Sequence, residues 1–181
     1  MGSNLLSGKS PLKVSMPVFI FERRTNLERF AQAFGCAPDF LDKAAQCTDK
    51  VERLKLVTAF LLNIQILYLT LEAPFNPILG ETFQSYINGC PLYFEQVAHH
   101  PPICSWILYG RGYRFYGSLE STAEAHMNSF EGRNLGTMKI EFYDNQSSNK
   151  KYEMIHLVCP TCVLSGTAVG DRTFNLEVTD Y

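Results

Sequence analysis

The stretch Met138-Lys139-Ile140-Glu141-Phe142 alternates apolar and charged residues with a period of two, the pattern of a strand with one face on a core and the other in water. Working outward from it, the chain from Ile78 to Tyr181 reads as a succession of such strands. Tyr152 to Val158 alternates less cleanly, with both faces largely apolar. Breaks rich in turn-forming residues fall at Asn88-Gly89, Tyr109-Gly110-Arg111-Gly112, Gly132-Arg133-Asn134 and Asp144 to Asn149. Their hairpin-like spacing predicts an antiparallel meander. A meander this long closes into a barrel, packs on another sheet, or leaves an edge exposed.

Upstream of Ile78 the period changes to that of a helix. Thr25-Asn26-Leu27-Glu28 has the spacing of a capping box, which predicts a short helix from there to Phe34, ended by Gly35. Pro38 suits the first turn of a second short helix, Asp39 to Cys47, with Phe40, Leu41 and Ala44 on one side. A third helix starts at Asp49 and Glu52 and places Leu54, Val57, Leu61 and Ile64 at helical spacing. Phe60, Leu67 and Leu71 widen its apolar face until Pro74 forbids continuation, so it is expected to be buried on most sides. Asn63 and Gln65 interrupt the run and read as solvent-facing or satisfied amides.

The first dozen residues, rich in Gly and Ser, resemble an arm or lid. Met16-Pro17-Val18-Phe19-Ile20-Phe21 follows as an extended apolar segment that needs a greasy surface to cover, either the core or a bound lipid. Helices followed by strands give an α+β class. With no internal repeat or composition shift, residues 1–181 read as one domain: a lid over about 1–24, helices over about 25–72 and strands over about 78–181.

Composition bounds the function. Sixteen basic and eighteen acidic residues give a formal charge of -2, which argues against the strong basic field of a nucleic-acid binder. The apolar stretch Leu54 to Leu71 contains Lys55, Asn63 and Gln65, too interrupted for a bilayer span. The chain starts without a secretory leader pattern, so the six cysteines are expected as free thiols in the cytosol.

His99-His100-Pro101-Pro102 is the most unusual tetrapeptide, because two imidazoles precede two residues that fix φ and lack backbone donors. The pair leaves a strand at a defined angle and offers several ring N–H donors when protonated. Such a pair suits a phosphate, a metal, or a plain surface role. If it holds an anion, binding weakens as pH rises and the rings lose protons.

Cys159-Pro160-Thr161-Cys162 has a C-x-x-C spacing, but without a second such pair it reads as packed thiols rather than a metal site. There is no G-x-S-x-G elbow, H-E-x-x-H or phosphate loop, and Glu81 and Glu95 read as structural carboxylates rather than an acid/base pair. No cofactor, metal or catalytic residue is expected, and the chain does not read as an enzyme.

Several segments together resemble the oxysterol-binding-protein-related family. Glu95-Gln96-Val97-Ala98-His99-His100-Pro101-Pro102 is similar to its fingerprint, with Ala98 where Ser is usual. Pro74-Phe75-Asn76-Pro77-Ile78-Leu79-Gly80-Glu81-Thr82-Phe83 resembles a second motif. Ser15-Met16-Pro17-Val18-Phe19, Leu41-Asp42-Lys43-Ala44-Ala45 and Pro160-Thr161-Cys162 resemble further ones, in the family's order. The resemblance spans nearly the whole chain and about the first half of the family's ligand-binding domain.

It implies part of an antiparallel barrel around an apolar tunnel with an N-terminal lid, holding a sterol or another lipid in exchange with phosphatidylinositol 4-phosphate. By the same resemblance Ser15, Met16, Pro17, Val18, Phe19 and Ile20 lie along the lid and the acyl chains or sterol. Phe75 and Asn76 then lie beside the headgroup, with His99 and His100 on its phosphate. The implied protein is cytoplasmic and touches membranes peripherally and transiently.

Ala73 departs from the family's usual Lys before Pro-Phe-Asn-Pro, and losing one charge-assisted hydrogen bond costs ~1.5–3 kcal/mol. The alternative expectation is a degenerate or partial domain that docks on membranes or partners without transfer.

Overall fold

The computed structural model of the chain describes residues 18–64, 73–125, 129–143, 152–165 and 171–180. A 3₁₀ turn, Val18–Ile20, leads into β1 (Phe21–Thr25) and α1 (Asn26–Ala33). Short 3₁₀ and π turns, Phe34–Cys36 and Pro38–Asp42, connect α1 to α2 (Lys43–Gln46), and α3 (Lys50–Ile64) follows. The strands are β2 (Ala73–Phe75), β3 (Thr82–Ile87), β4 (Cys90–His99), β5 (Pro102–Tyr109), β6 (Tyr113–Ala125), β7 (Ser129–Tyr143), β8 (Tyr152–Ser165) and β9 (Asp171–Asp180). The α+β class holds: β3 to β9 pair in sequence order as one seven-stranded antiparallel sheet. No pairing joins β3 to β9 among the described residues, so this sheet is open.

The helices lie against one face of the sheet, and aromatic side chains make the seam. Phe34 stands in ring contact with Phe94 (5.4 Å), Trp106 (5.6 Å) and Phe115 (5.0 Å), while Phe60 of α3 meets Phe115 edge-on at 5.3 Å. Such offset and edge contacts add to the burial of large apolar area. Around them Leu27, Leu41, Val57, Leu61, Leu92, Leu108 and Ile140 are completely buried. Trp106, the chain's sole tryptophan, finds no acceptor for its indole Nε1 among the described residues. Gly117 makes room for its ring: a Cβ there would lie 2.9 Å from Trp106 Cζ2 and 2.3 Å from the Thr137 carbonyl.

The alternation at Met138 to Phe142 is confirmed in the buried Met138, Ile140 and Phe142, but Glu141 on the other face is buried as well. It accepts from Arg114 and, at 2.6 Å, from the Tyr116 hydroxyl. The guanidinium beside it holds its carboxyl below the usual range, with the phenol adding to the effect. The Asn88-Gly89 turn closes the β3–β4 hairpin with φ of 49° and 82°, the left-handed pair that favours this dipeptide.

Five expectations need correction. Met16 to Phe21 is not extended throughout: Val18–Ile20 forms a 3₁₀ turn, and the extended backbone begins at Phe21, where pairing with Ala73 supports it. Gly132-Arg133-Asn134 is not a turn, because β7 runs through it. The glycines here accompany an irregularity, a register shift against β8 between Arg133 and Thr137, with Gly136 at φ 143°. Thr25 caps α1 in extended geometry but makes no side-chain hydrogen bond, and burial of Leu27 and Ala31 holds the helix instead. Gly35 does not end the helical path, which continues through Ala37 into the π turn. In α3 one face is buried, through Val57, Phe60, Leu61 and Ile64, while Leu62 and Asn63 are exposed. Gln65, Leu67 and Leu71 lie outside the described residues.

The parallel pairing of β1 with β2 (Phe21 with Ala73, Thr25 with Phe75) has no counterpart in the sequence reading. It is fixed to α1 by the buried Glu22, which pairs with Arg29 and, at 2.9 Å, with Arg24. A buried carboxylate needs such partners to remain charged. Pro160 lies inside β8 at a register irregularity against both neighbours, where its missing donor costs least.

Candidate functional site

Strand β4 carries the candidate site at its C-terminal end. Its first half alternates strictly, with Leu92, Phe94 and Gln96 buried and Tyr93, Glu95 and Val97 exposed. The pairing with β5 then shifts between Gln96 and Ala98, and the Gln96 side chain turns back to donate to the Ala98 carbonyl at 2.7 Å. Beyond this irregularity both His99 and His100 are exposed in the hairpin to β5, with ring centroids 4.6 Å apart and planes inclined by 57°. The His100–Pro101 peptide is cis, and His99 pairs with Pro102 across the hairpin.

The segment Asn76 to Glu81 is hooked onto the same strand. The Gly80 N–H donates to the Gln96 carbonyl at 2.8 Å, and the Gln96 N–H donates to the Glu81 carbonyl at 2.9 Å. Within the turn, Glu81 N–H reaches the Ile78 carbonyl at 3.0 Å, while the Glu81 carboxylate accepts from the Ile78 N–H at 3.1 Å. Glu81 is therefore a brace of its own turn. Gly80, at φ 80°, supplies the left-handed backbone that the turn needs. Two sequence motifs about fifteen residues apart thus meet through backbone hydrogen bonds at Gln96.

Phe75 and Asn76 stand at the other end of this segment. The Phe75 ring stacks on Phe21 at 4.8 Å, and Asn76 Oδ1 accepts from Asn26 at 3.4 Å. Among the described residues no hydrogen bond or ring contact links either one directly to His99 or His100; the connection runs through the braced turn. Val18 and Phe19 are exposed, the side chain of Ile20 is not described, and Ser15, Met16 and Pro17 lie outside the described residues. The side chains of Cys159 and Cys162 are likewise not described. Sequence reasoning gave Gln96 no role, because its part is a long-range backbone pairing.

The sequence profile of the oxysterol-binding protein family matches residues 4–178. The chain belongs to that family. Oxysterol-binding protein 9 of Dictyostelium discoideum is 33% identical over 175 residues, covering 95% of this chain and 39% of the relative. The crystal structure of the Osh1 ORD domain in complex with cholesterol superposes with a TM-score of 0.82 at 28% identity, covering 99% of this chain and 45% of that one. The Osh3 ORD of Saccharomyces cerevisiae, solved in complex with PI(4)P, gives 0.80 at 26% identity, over 99% of this chain and 49% of its own. The chain thus spans less than half the length of these oxysterol-binding relatives. Among the described residues no helix is long and apolar enough to cross a membrane.

Proposed function

We propose that this chain is a lipid-binding part of a carrier that moves a sterol or another lipid between membranes in exchange for phosphatidylinositol 4-phosphate. The observation that carries the reading is the joining of the Asn76–Glu81 segment to the strand that ends in two exposed, neighbouring histidines. Sterol-bound and PI(4)P-bound relatives of the same fold support the choice of lipids. His99 and His100 donate to the headgroup phosphate, Phe75 and Asn76 flank the headgroup, and Ser15 to Ile20 line the lid over the apolar chains. Nothing in this role needs bond chemistry or a cofactor: the protein binds and releases, and its working place is the cytoplasmic surface of membranes.

The test is binding of a water-soluble, short-chain phosphatidylinositol 4-phosphate to the parent chain and to a His99→Ala, His100→Ala variant. The reading requires loss of binding in the variant; equal binding by both would sink it. One observation favours a second reading, a docking module without transfer. Ala73, at the start of β2, stands where the family resemblance implies a lysine, and without that cation phosphate affinity falls about ten- to a hundredfold.

A further inference from the structure

Ile78 and Leu79 are 71% and 65% exposed, adjacent, and held at the tip of the braced turn. Three hydrogen bonds, Gly80 to Gln96, Glu81 to Ile78, and Ile78 to the Glu81 carboxylate, fix the backbone of this turn with the two aliphatic side chains in solvent. Of the other large apolar side chains exposed on the described residues, Val18 and Phe19 are the second adjacent pair and lie in a 3₁₀ turn without such a brace, Val51, Leu62 and Leu135 stand singly, and Tyr86, Tyr93 and Tyr109 carry a phenol that tolerates water. Single exposed hydrophobes need no explanation, whereas a rigidly presented pair does.

The direction of the turn matters. Thr82 pairs with Glu95, and Gly80 and Glu81 both bond to Gln96, so the turn is fastened to β4 three residues before His99. The aliphatic tip and the histidine pair therefore share one end of the sheet, where Val97, the residue after Gln96 on β4, is 45% exposed.

We infer that the Ile78-Leu79 turn is a membrane-insertion tip, which seats this end of the sheet in the apolar boundary of a lipid leaflet. The inference rests on the lipid-binding reading. A group that grasps a headgroup phosphate while the lipid is still in its bilayer must bring its rim against the leaflet. An aliphatic tip with no free cation is suited to the layer beneath the phosphates. The turn's carboxylate is engaged with the Ile78 backbone. The tip lacks an Arg anchor of the kind enriched at protein interfaces, and its exposed side chains are aliphatic. Two or three aliphatic side chains give reversible attachment, as a protein that must leave the membrane requires.

The experiment is flotation of the full chain with vesicles of phosphatidylcholine, with and without phosphatidylinositol 4-phosphate. The parent, an Ile78→Ser, Leu79→Ser variant and a Leu79→Trp variant are compared, each checked for native circular dichroism. The serine variant is expected to partition about tenfold more weakly onto both vesicle types. It should still bind the short-chain water-soluble lipid like the parent, and the tryptophan variant should partition more strongly than the parent. Parent-like partitioning by both variants overturns the inference, as does a serine variant that fails only on vesicles containing the phosphoinositide. If the parent ignores the short-chain lipid yet its flotation depends on the turn, the lipid reading fails while the insertion tip stands.

Discussion

The two ends of β4 differ more than their ten residues suggest. At the Cys90 end each inward side chain, Leu92 and Phe94, is clamped between the sheet and the helices. At the histidine end the alternation breaks, the side chains face outward, and backbone hydrogen bonds through Gln96 provide the order. Folding energy is concentrated at the first end, where apolar area is removed from water, while at the second the backbone is fixed and ligand-seeking groups stay exposed. Substitutions should accordingly separate stability from lipid binding.

Phe115→Ala opens the seam where Phe34 and Phe60 meet the sheet, and an expected loss of about 3–5 kcal/mol is measurable by chemical denaturation. A loss below ~1 kcal/mol would break the contrast. Gln96→Ala sits on the boundary. Removing the bond to Ala98 should cost about 1–2 kcal/mol and also weaken short-chain lipid binding, since the histidines follow that irregularity. Thermal melts and lipid titration on one sample show whether the two losses travel together.

Glu141 tests the outer face. Its folded carboxyl is held below its ordinary range by Arg114 and Tyr116, so its stabilising share is complete above that range and disappears as pH falls through the lowered value. Glu141→Gln should therefore cost under about 1 kcal/mol at neutral pH and flatten the acid limb of a stability profile. The smallest stability effect is expected for His99→Ala with His100→Ala, within about 0.5 kcal/mol, because both rings are exposed. A larger loss would mean that the pair supports the fold, and would erase the difference between the two ends.

Much of the fold was legible because its signals are local. The alternation at Met138 to Phe142, the Asn88-Gly89 hairpin and the helical spacing of Val57, Phe60, Leu61 and Ile64 all depend on neighbours within a few residues. What escaped depends on distant partners. Gly132-Arg133-Asn134 has the composition of a turn, yet strand pairing on both sides overrides it. The three residues of β2 become a strand only because Phe21 to Thr25 lies alongside. The histidine pair was conspicuous for its chemistry. Gln96, which fastens the other motif to it, was not, because a backbone N–H and C=O leave no mark on composition.

The position of Trp106 has an optical consequence. As the sole tryptophan, packed against Phe34, Phe94 and Phe115, it gives the chain a single emission source at the boundary between helices and sheet. Water admitted to that boundary shifts the emission to the red, while events confined to the exposed histidine hairpin leave it in place. The unaltered protein thus contains its own gauge of whether the helices stay seated on the sheet when a lipid or a membrane arrives.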